Sequence, residues 1–416
     1  MSTETTASVD ISSTEFWQLS EVDRDKRFAA LRATEGLTQH RPIELGGITD
    51  GPGFWAIVRR DDIQYVSRHA ELFCSSKGVG FTDIPQEYNE AFGSFLMTDA
   101  PRHTHLRGLI SRAFTPKRVR TIEDQIQRQA VTIVGAAVDQ GSVELVADLS
   151  MQLPLWTISE MLGVPEDRRR ELWDGANALV NAQARADAGD DEADALAEAL
   201  MAGISLSALG VEFANARRSD PRDDLLTSLV EAEVDGQRLT DEEIGAFIVL
   251  LGVAGNDTTR NTITLNVKAF ADNPDQWDLL RSDPERYMAG AVEEMLRWAT
   301  PVMTFRRTAT RDTLVAGTEI REGDRLVMFY ASGDRDEAHF ADPWRFDITR
   351  TPNEHVAFGG GGVHYCLGAS LARTQLRCVF GELAKRVERF EVGDPHMITS
   401  AFVNGVESVA CTFVTA

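Results

Sequence analysis

Apolar residues return every three to four positions along most of this chain, the spacing of helices that bury one face. The pattern predicts helices over Leu145–Leu162, from Leu225 through Val230 and its continuation, and over Leu367–Val387, where Leu367, Leu371, Leu376, Val379, Phe380 and Leu383 mark one face. Short strand-like pieces occur at Phe54–Val58, Thr313–Ala316, Arg325–Tyr330 and Ser408–Val414, separated by Gly and acidic turn residues. The expected fold is mainly α with small peripheral β-sheets. No internal repeat and no Pro- or Gly-rich linker divides the chain, so residues 16–416 read as one domain behind a flexible, Ser- and Thr-rich tail, residues 1–15. The stretch Ala186–Glu198, rich in Ala, Asp and Glu, reads either as a mobile segment or as an exposed helix.

One segment breaks the amphipathic rule. Ile244 to Gly255 is almost wholly apolar over 12 residues, so as a helix it runs through the core. It then meets Asn256, Asp257, Thr258 and Thr259 without a proline, and helical spacing resumes at Leu265, Val267 and Phe270. Buried polar groups are costly unless paired. Gly255 weakens a helix by about 1 kcal/mol relative to Ala, and Thr258 and Thr259 can bond to carbonyls one turn back and bend it. A local rule broken inside the core marks a candidate functional site. The alternative is a helix that ends at Gly255, with Asp257 capping a second one.

A second unusual segment lies near the C-terminus, where Phe358 is followed by Gly359 to Gly362, Val363, His364, Tyr365, Cys366, Leu367 and Gly368. A dinucleotide loop would need Gly at position 364 or 365, and a phosphate-binding loop would need a following Lys-Ser/Thr; both are missing. What remains is a thiol at a helix N-terminus, after a loop whose missing side chains let backbone N–H groups approach the sulfur. That setting favours thiolate, and a thiolate so held suits an iron ligand. The alternative is a buried structural cysteine after a flexible turn.

Composition narrows the class. With 43% hydrophobic and 26% charged residues, the 416-residue chain has material for a large core. Cys74, Cys366, Cys378 and Cys411 are scattered without a CxxC pair, which argues against a zinc site or disulfide framework and fits a reducing cytoplasm. No cationic stretch followed by an apolar one opens the chain, and the 12-residue apolar run falls short of the roughly 20 residues a membrane span needs. A net charge of −23 disfavours nucleic acid. Against that charge, Arg102, Arg107, Arg112, Lys117, Arg118 and Arg120 form an island with no acid among them, either a solvated helix face or a functional patch.

Taken together, these segments resemble the cytochrome P-450 family from about Phe54 to the C-terminus. The resemblance implies haem b held between a long distal helix and the helix after the cysteine loop. It makes Cys366 the thiolate ligand, with Ala254, Phe358 and Gly368 beside the haem, and His364, His103, Arg107 and Arg307 as propionate partners. His103 and Arg107 stand in Pro101-Arg-His-Thr-His-Leu-Arg107, and Arg307 in Phe305-Arg-Arg-Thr-Ala309. Asp257 and Thr258 match the family's oxygen-activating acid–alcohol pair. Glu294-Met-Leu-Arg297 matches its ExxR motif, which the arginine of Pro343-Trp-Arg345-Phe346 would join in a buried network. One departure stands out: Phe358 and Cys366 are eight positions apart where the common form has seven, so the placement of Phe358 against the sulfur is in question.

The implied activity is insertion of one oxygen atom from O2 into a C–H bond of a small lipophilic substrate. Thr258 would hold oxygen by hydrogen bonding while Asp257 relays protons from solvent. Leu250, Val253, Val302, Met303, Phe402 and Val403 would line the substrate pocket with Ala254, and the regions Gly78–Phe95 and Trp173–Leu196 would shape its entrance. Four-glycine loops and the string Ala254-Gly-Asn-Asp-Thr-Thr-Arg260 occur in bacterial members that oxidise sterols, terpenoids and methyl-branched lipids; a polyketide or other secondary metabolite is the alternative. Electrons from NAD(P)H would arrive through ferredoxin reductase and ferredoxin, steered to Arg112, Lys117, Arg118, Arg373 and Arg377. A haem protein that binds a ligand without turnover, or a peroxide-using relative, would not need the acid–alcohol pair.

Overall fold

The computed structural model describes residues 9–43, 52–81, 94–111, 116–188, 192–234 and 236–415. Among them the fold is mainly α with small sheets, as the periodicity predicts. The helices that build the site are α1 (Arg102–Ser111), α2 (Pro116–Gln140), α3 (Gln152–Leu162), α4 (Arg169–Ala188), α5 (Glu192–Ser219), α6 (Asp241–Asp272), α7 (Pro284–Ala299) and α8 (Ala369–Arg386).

The apolar segment with its polar interruption is one unbroken helix, α6, of 32 residues. At 1.5 Å per residue it is about 48 Å long. A capping box starts it: Thr240 Oγ1 accepts from Glu243 N at 3.2 Å, and the Glu243 carboxylate accepts from Thr240 N at 3.0 Å. Pro274, with no N–H to give, opens the following helix Pro274–Ser282. A break at Gly255 does not occur. Gly255 answers to packing instead, since a Cβ there would lie 2.5 Å from Ile158 Cδ1 on α3. Ile244, Phe247, Ile248 and Leu251 join Leu206, Leu209 and Phe213 of α5 in one core, each large side chain contributing about 1.5–3 kcal/mol.

The other predicted helices form with shifted ends. The segment Leu145–Leu162 is a π-helical turn, Val146–Ser150, followed by α3; Leu225–Glu231 is a helix; and α8 starts two residues after Leu367. Ala186–Glu198 is helical at both ends, in α4 and α5, with residues 189–191 outside the described residues. The segment Ala197–Ser219 of α5 is long and apolar enough to span a membrane, although Leu206, Leu209, Phe213 and Ala214 within it belong to the core. Glu198 and Glu212 interrupt its apolar run, so it does not stand out in the sequence.

Five strands, β1 (Thr38–His40), β2 (Phe54–Ile57), β3 (Phe73–Cys74), β4 (Thr304–Ala309) and β5 (Arg325–Phe329), form a sheet of order β1–β2–β5–β4–β3. Only the β2–β5 pair is parallel. Strand alternation puts Phe305 and Arg307 of β4 on one face, toward the site, and Arg306 on the other. The remaining predicted strands are a hairpin, Thr313–Val315 with Thr318–Ile320, and Ala410–Val414 in a three-stranded sheet with Arg389–Val392 and Ser142–Glu144. Part of the expected tail, residues 9–15, is described and packed. Ile11 is 0% exposed beside Phe16 and Trp17, because an apolar residue two positions ahead of the Ser13-capped turn Thr14–Trp17 gains more by packing than by fraying. Residues 1–8 lie outside the described residues.

Candidate active site

The cysteine loop is held at both ends. Asp334 Oδ1 accepts from Val356 N at 2.6 Å, and Cys366 N donates to Phe358 O at 3.0 Å. Between them the glycines lie against the helix Arg60–Arg68. Gly362 has φ +75°, and a Cβ there would collide with Ser67 O, so both the left-handed backbone and the close approach require glycine. Cys366 stands three residues ahead of α8. Burial pushes its thiol pKa up, against the pull of the Gly368 and Ala369 N–H groups and the charges of Arg107 and Arg373. The helix terminus therefore supplies donors to the sulfur but does not by itself produce thiolate; a bound cation does, since a coordinating thiol is deprotonated outright.

The sulfur opens into a cavity of about 220 Å3. Phe247, Leu250, Ala254 and Thr258 of α6 form one wall; Ala357, Phe358, His364, Cys366 and Gly368 form another; Phe95, Ile158, Val302, Phe305 and Tyr330 close the rest. The i, i+3/i+4 spacing on α6 explains why Phe247 belongs with the expected Leu250 and Ala254. Thr258 Oγ1 donates to Ala254 O at 2.8 Å. Asp257 is not on this wall. It lies about 100° round the helix, is 3% exposed, and is ion-paired with Arg260. Burial pushes its carboxyl pKa up, and the charge of Arg260 only partly offsets that.

Four basic side chains gather at the cavity edge. His103 and His364 lie 4.2 Å apart, centroid to centroid, and His364 Nε2 meets Ser75 Oγ at 3.1 Å. His103 Nε2 and His364 Nδ1 are buried without a protein partner. Burial, then Arg307, His103 and Arg107, holds the His364 pKa down to about 2, so its ring is neutral. Arg107 Nη2 donates to Tyr365 O at 2.5 Å, and Arg307, 4% exposed, donates only to Arg306 O at 2.8 Å among the described residues. A buried guanidinium without a carboxylate calls for an anion.

The cytochrome P450 family model matches residues 206–404. Over 412 residues, 98% of this chain and 95% of the relative, the sequence is 40% identical to the methyl-branched lipid omega-hydroxylase of Mycobacterium tuberculosis. The chain belongs to the cytochrome P-450 family. It is a haem-dependent monooxygenase of that family. The steroid C26-monooxygenase of Rhodococcus jostii is 37% identical over 398 residues, 94% of this chain and 82% of that protein. A Mycobacterium marinum cytochrome P-450 solved with pseudoionone superposes with a TM-score of 0.92 at 47% identity, covering 98% of this chain and 99% of that one.

The cavity of this cytochrome P-450 fits haem on its own residues: an apolar interior, a thiol on one wall, and two guanidiniums with two unpartnered imidazole nitrogens where two propionates would end. Beneath it Glu294 and Arg297, both 0% exposed, are bidentate at 2.8 and 2.7 Å. Arg297 also donates to Asp334 O and Pro343 O at 3.0 and 2.8 Å. The expected third arginine is wrong. Arg345 contributes its backbone carbonyl, and its side chain is exposed because it follows the tight turn closed by Arg345 N to Asp342 O at 2.9 Å. Arg350 reaches Glu294 instead, at 3.3 Å, and Asn353 Nδ2 donates to it at 2.9 Å.

Several other expectations change. Met303 does not border the cavity: just ahead of β4 it is 4% exposed in a separate core with Phe28 and Phe329, where Arg24 Nη1 approaches its sulfur at 3.6 Å. Phe402 stands behind Phe305, with ring centroids 5.5 Å apart, and Val403 bridges to Val302 by backbone. Val253 does not line the cavity, being one residue ahead of Ala254 on α6 and so about 100° round the helix from it. Arg373 and Arg377 are not free cations, being paired with Glu293 and Glu123. Arg112, the Lys117 and Arg118 side chains, and most of the Gly78–Phe95 and Trp173–Leu196 side chains expected at the entrance lie outside the described residues.

Proposed function

We propose that this cytochrome P-450 hydroxylates the end of a methyl-branched aliphatic chain, on a lipid or on a sterol side chain. The observation that carries the reading is one apolar cavity with Cys366 on one wall and Thr258 on another. Such a cavity selects a lipophilic substrate. Relatives named for the omega position and for steroid C26 specify chain ends, and the ligand of the Mycobacterium marinum neighbour, pseudoionone, is itself methyl-branched.

Bound haem supplies the oxygen chemistry, inserting one atom of O2 into a C–H bond at the expense of two electrons. Cys366 holds it through sulfur, with the Gly368 and Ala369 N–H groups directed at that atom. His103, Arg107, Arg307 and His364 hold its propionates. Thr258 Oγ1 is the hydroxyl at the cavity wall that passes protons inward. Asp257, one residue back, resupplies it when its carboxylate leaves Arg260. The apolar walls exclude water and orient the chain end. Electrons come from NAD(P)H through ferredoxin reductase and ferredoxin, and four unpaired cysteines support a reducing, cytoplasmic setting.

An optical titration of the haem-loaded protein tests the reading, using a methyl-branched fatty acid, a sterol, a linear fatty acid and a monoterpenoid. A blue shift of the Soret band with the first two, followed by chain-end hydroxylation on adding reductase, ferredoxin and NAD(P)H, is the expected result. A shift confined to the monoterpenoid, or hydroxylation away from the chain end, overturns the substrate assignment.

A further inference from the structure

Arg373 was expected on the proximal surface, facing an acidic protein, and it is turned inward. Its Nε and Nη2 hold the two oxygens of Glu293 at 2.6 and 2.8 Å, and its guanidinium carbon lies 4.6 Å from the ring centroid of Phe358. Glu293 Oε2 also meets His355 Nε2 at 3.0 Å. The Phe358 ring has His355 at 5.9 Å on one side and Tyr365, edge-on, at 6.2 Å on another. One ion pair between α7 and α8 therefore grips the cysteine loop at His355 and Phe358, ahead of the glycines, while Tyr365 closes on Phe358 from beyond them. Glu293 adjoins Glu294, whose buried network fixes α7 beneath the loop. The extra loop residue leaves Phe358 anchored all the same.

We propose that Arg373 and Glu293 form a charge pair that sets how readily the haem iron is reduced, with Arg373 acting as a positioning residue through Phe358. The proposal rests on Cys366 being the haem ligand. Reduction adds one electron, supplied by the redox partner, and makes the iron–thiolate unit one charge more negative. A fixed cation nearby favours the reduced state and an anion disfavours it. Of the two charges, Arg373 is the one stacked on Phe358, whose carbonyl accepts from Cys366 N at 3.0 Å, while Glu293, paired with it, tempers its charge. Their side chains keep 32% and 31% of their exposure, so solvent weakens the effect without cancelling it.

Reduction potentials of the haem-loaded variants Arg373→Gln, Arg373→Lys and Glu293→Gln test this, each checked first for the thiolate-type Soret band of its reduced CO complex. The expected result is a potential more negative than the parent in Arg373→Gln, more positive in Glu293→Gln, and close to the parent in Arg373→Lys, which keeps the charge. Shifts of the same sign in the two glutamine variants would mean that the pair only props up the loop, and no shift in either would mean that it does not act on the iron; both overturn the proposal. Should Arg373→Gln fail to take up haem, the sign of the Glu293→Gln shift decides alone. Absence of the thiolate band in the parent protein is a separate failure, that of the Cys366 assignment.

Discussion

Replacing Glu294 by Gln should destabilise the protein more than any other change in the network beneath the haem. The carboxylate accepts from Arg297 Nε and Nη2 at 2.8 and 2.7 Å, from Asp347 N at 2.9 Å and from Asn353 Nδ2 at 2.9 Å, with Arg350 at 3.3 Å. Gln keeps the volume but turns an NH2 group toward these donors and removes the charge that two guanidiniums share. Breaking a fully buried pair from one side costs about 3–5 kcal/mol, or between about two and three and a half powers of ten in the unfolding equilibrium. Arg350→Gln should cost less, because that side chain retains 10% exposure and Arg297 still satisfies the carboxylate. Arg345→Gln removes an exposed side chain and should stay within about 0.5 kcal/mol. Urea midpoints followed by far-ultraviolet circular dichroism give the order, at matched haem loading because bound haem adds stability by mass action. If Arg345→Gln costs as much as Arg350→Gln, or Glu294→Gln costs under about 1 kcal/mol, the network described here is wrong.

Thr258→Val removes the cavity hydroxyl and keeps the shape, so substrate should still shift the Soret band while product per NAD(P)H falls and peroxide rises; unchanged coupling would remove Thr258 from proton transfer. Arg307→Gln should raise the haem dissociation constant about ten- to a hundredfold, the worth of a charge-assisted hydrogen bond of about 1.5–3 kcal/mol. In the same variant the haem-free protein should melt no lower than the parent, since burial of that unpaired cation is a cost. Burial would raise the Glu293 pKa, but hydrogen bonds from Arg373 and His355 hold it near 2. Its folded value is thus below the ordinary 4.5, so the pair contributes in full above about pH 4.5 and is lost as pH falls toward 2. Glu293→Gln should flatten the stability profile across that window, and an unaltered acid limb would sink the assignment. Gly255→Ala gains about 1 kcal/mol in helix propensity yet meets Ile158, and should be destabilising alone and restored by Ile158→Val in a double-mutant thermal-melt cycle.

What could be read from the sequence depended on how local each cause is. The helices showed themselves because a buried face repeats within a few residues. The break weighed at Gly255 stayed open because glycine's cost and Asp257's capping ability are local properties, whereas Ile158, which requires the glycine, sits on another helix. β1 and β3 escaped notice because two or three residues carry no alternation, so they are strands only through pairing with β2 and β4; β4 escaped because the adjacent cations Arg306 and Arg307 mask its period of two. Arg345 and Arg350 are equally good arginines in the same segment. Only the turn at Asp342, with φ +47°, decides which one points inward.

The site divides along the same line. Cys366, His364 and the glycines announced themselves because a thiol beneath a glycine run has few structural uses. The walls did not, since Met303 and Phe402 have the chemistry of pocket residues and are kept off the cavity by neighbours far away in sequence. Charge misled most. A run of cations without acids suggested an outward patch, yet Arg373 and Arg377, read with it from another helix, have found Glu293 and Glu123, remote acids that local composition cannot reveal, whereas Arg107 lines the cavity as the resemblance implied. Because an exposed ion pair is worth only about 0–1 kcal/mol, Arg377 can exchange Glu123 for an acid on a docking protein. Arg373, stacked on Phe358 and bidentate to Glu293, is committed inward. Ferredoxin affinity should therefore weaken in Arg377→Gln with the haem potential unmoved, and Arg373→Gln should do the reverse.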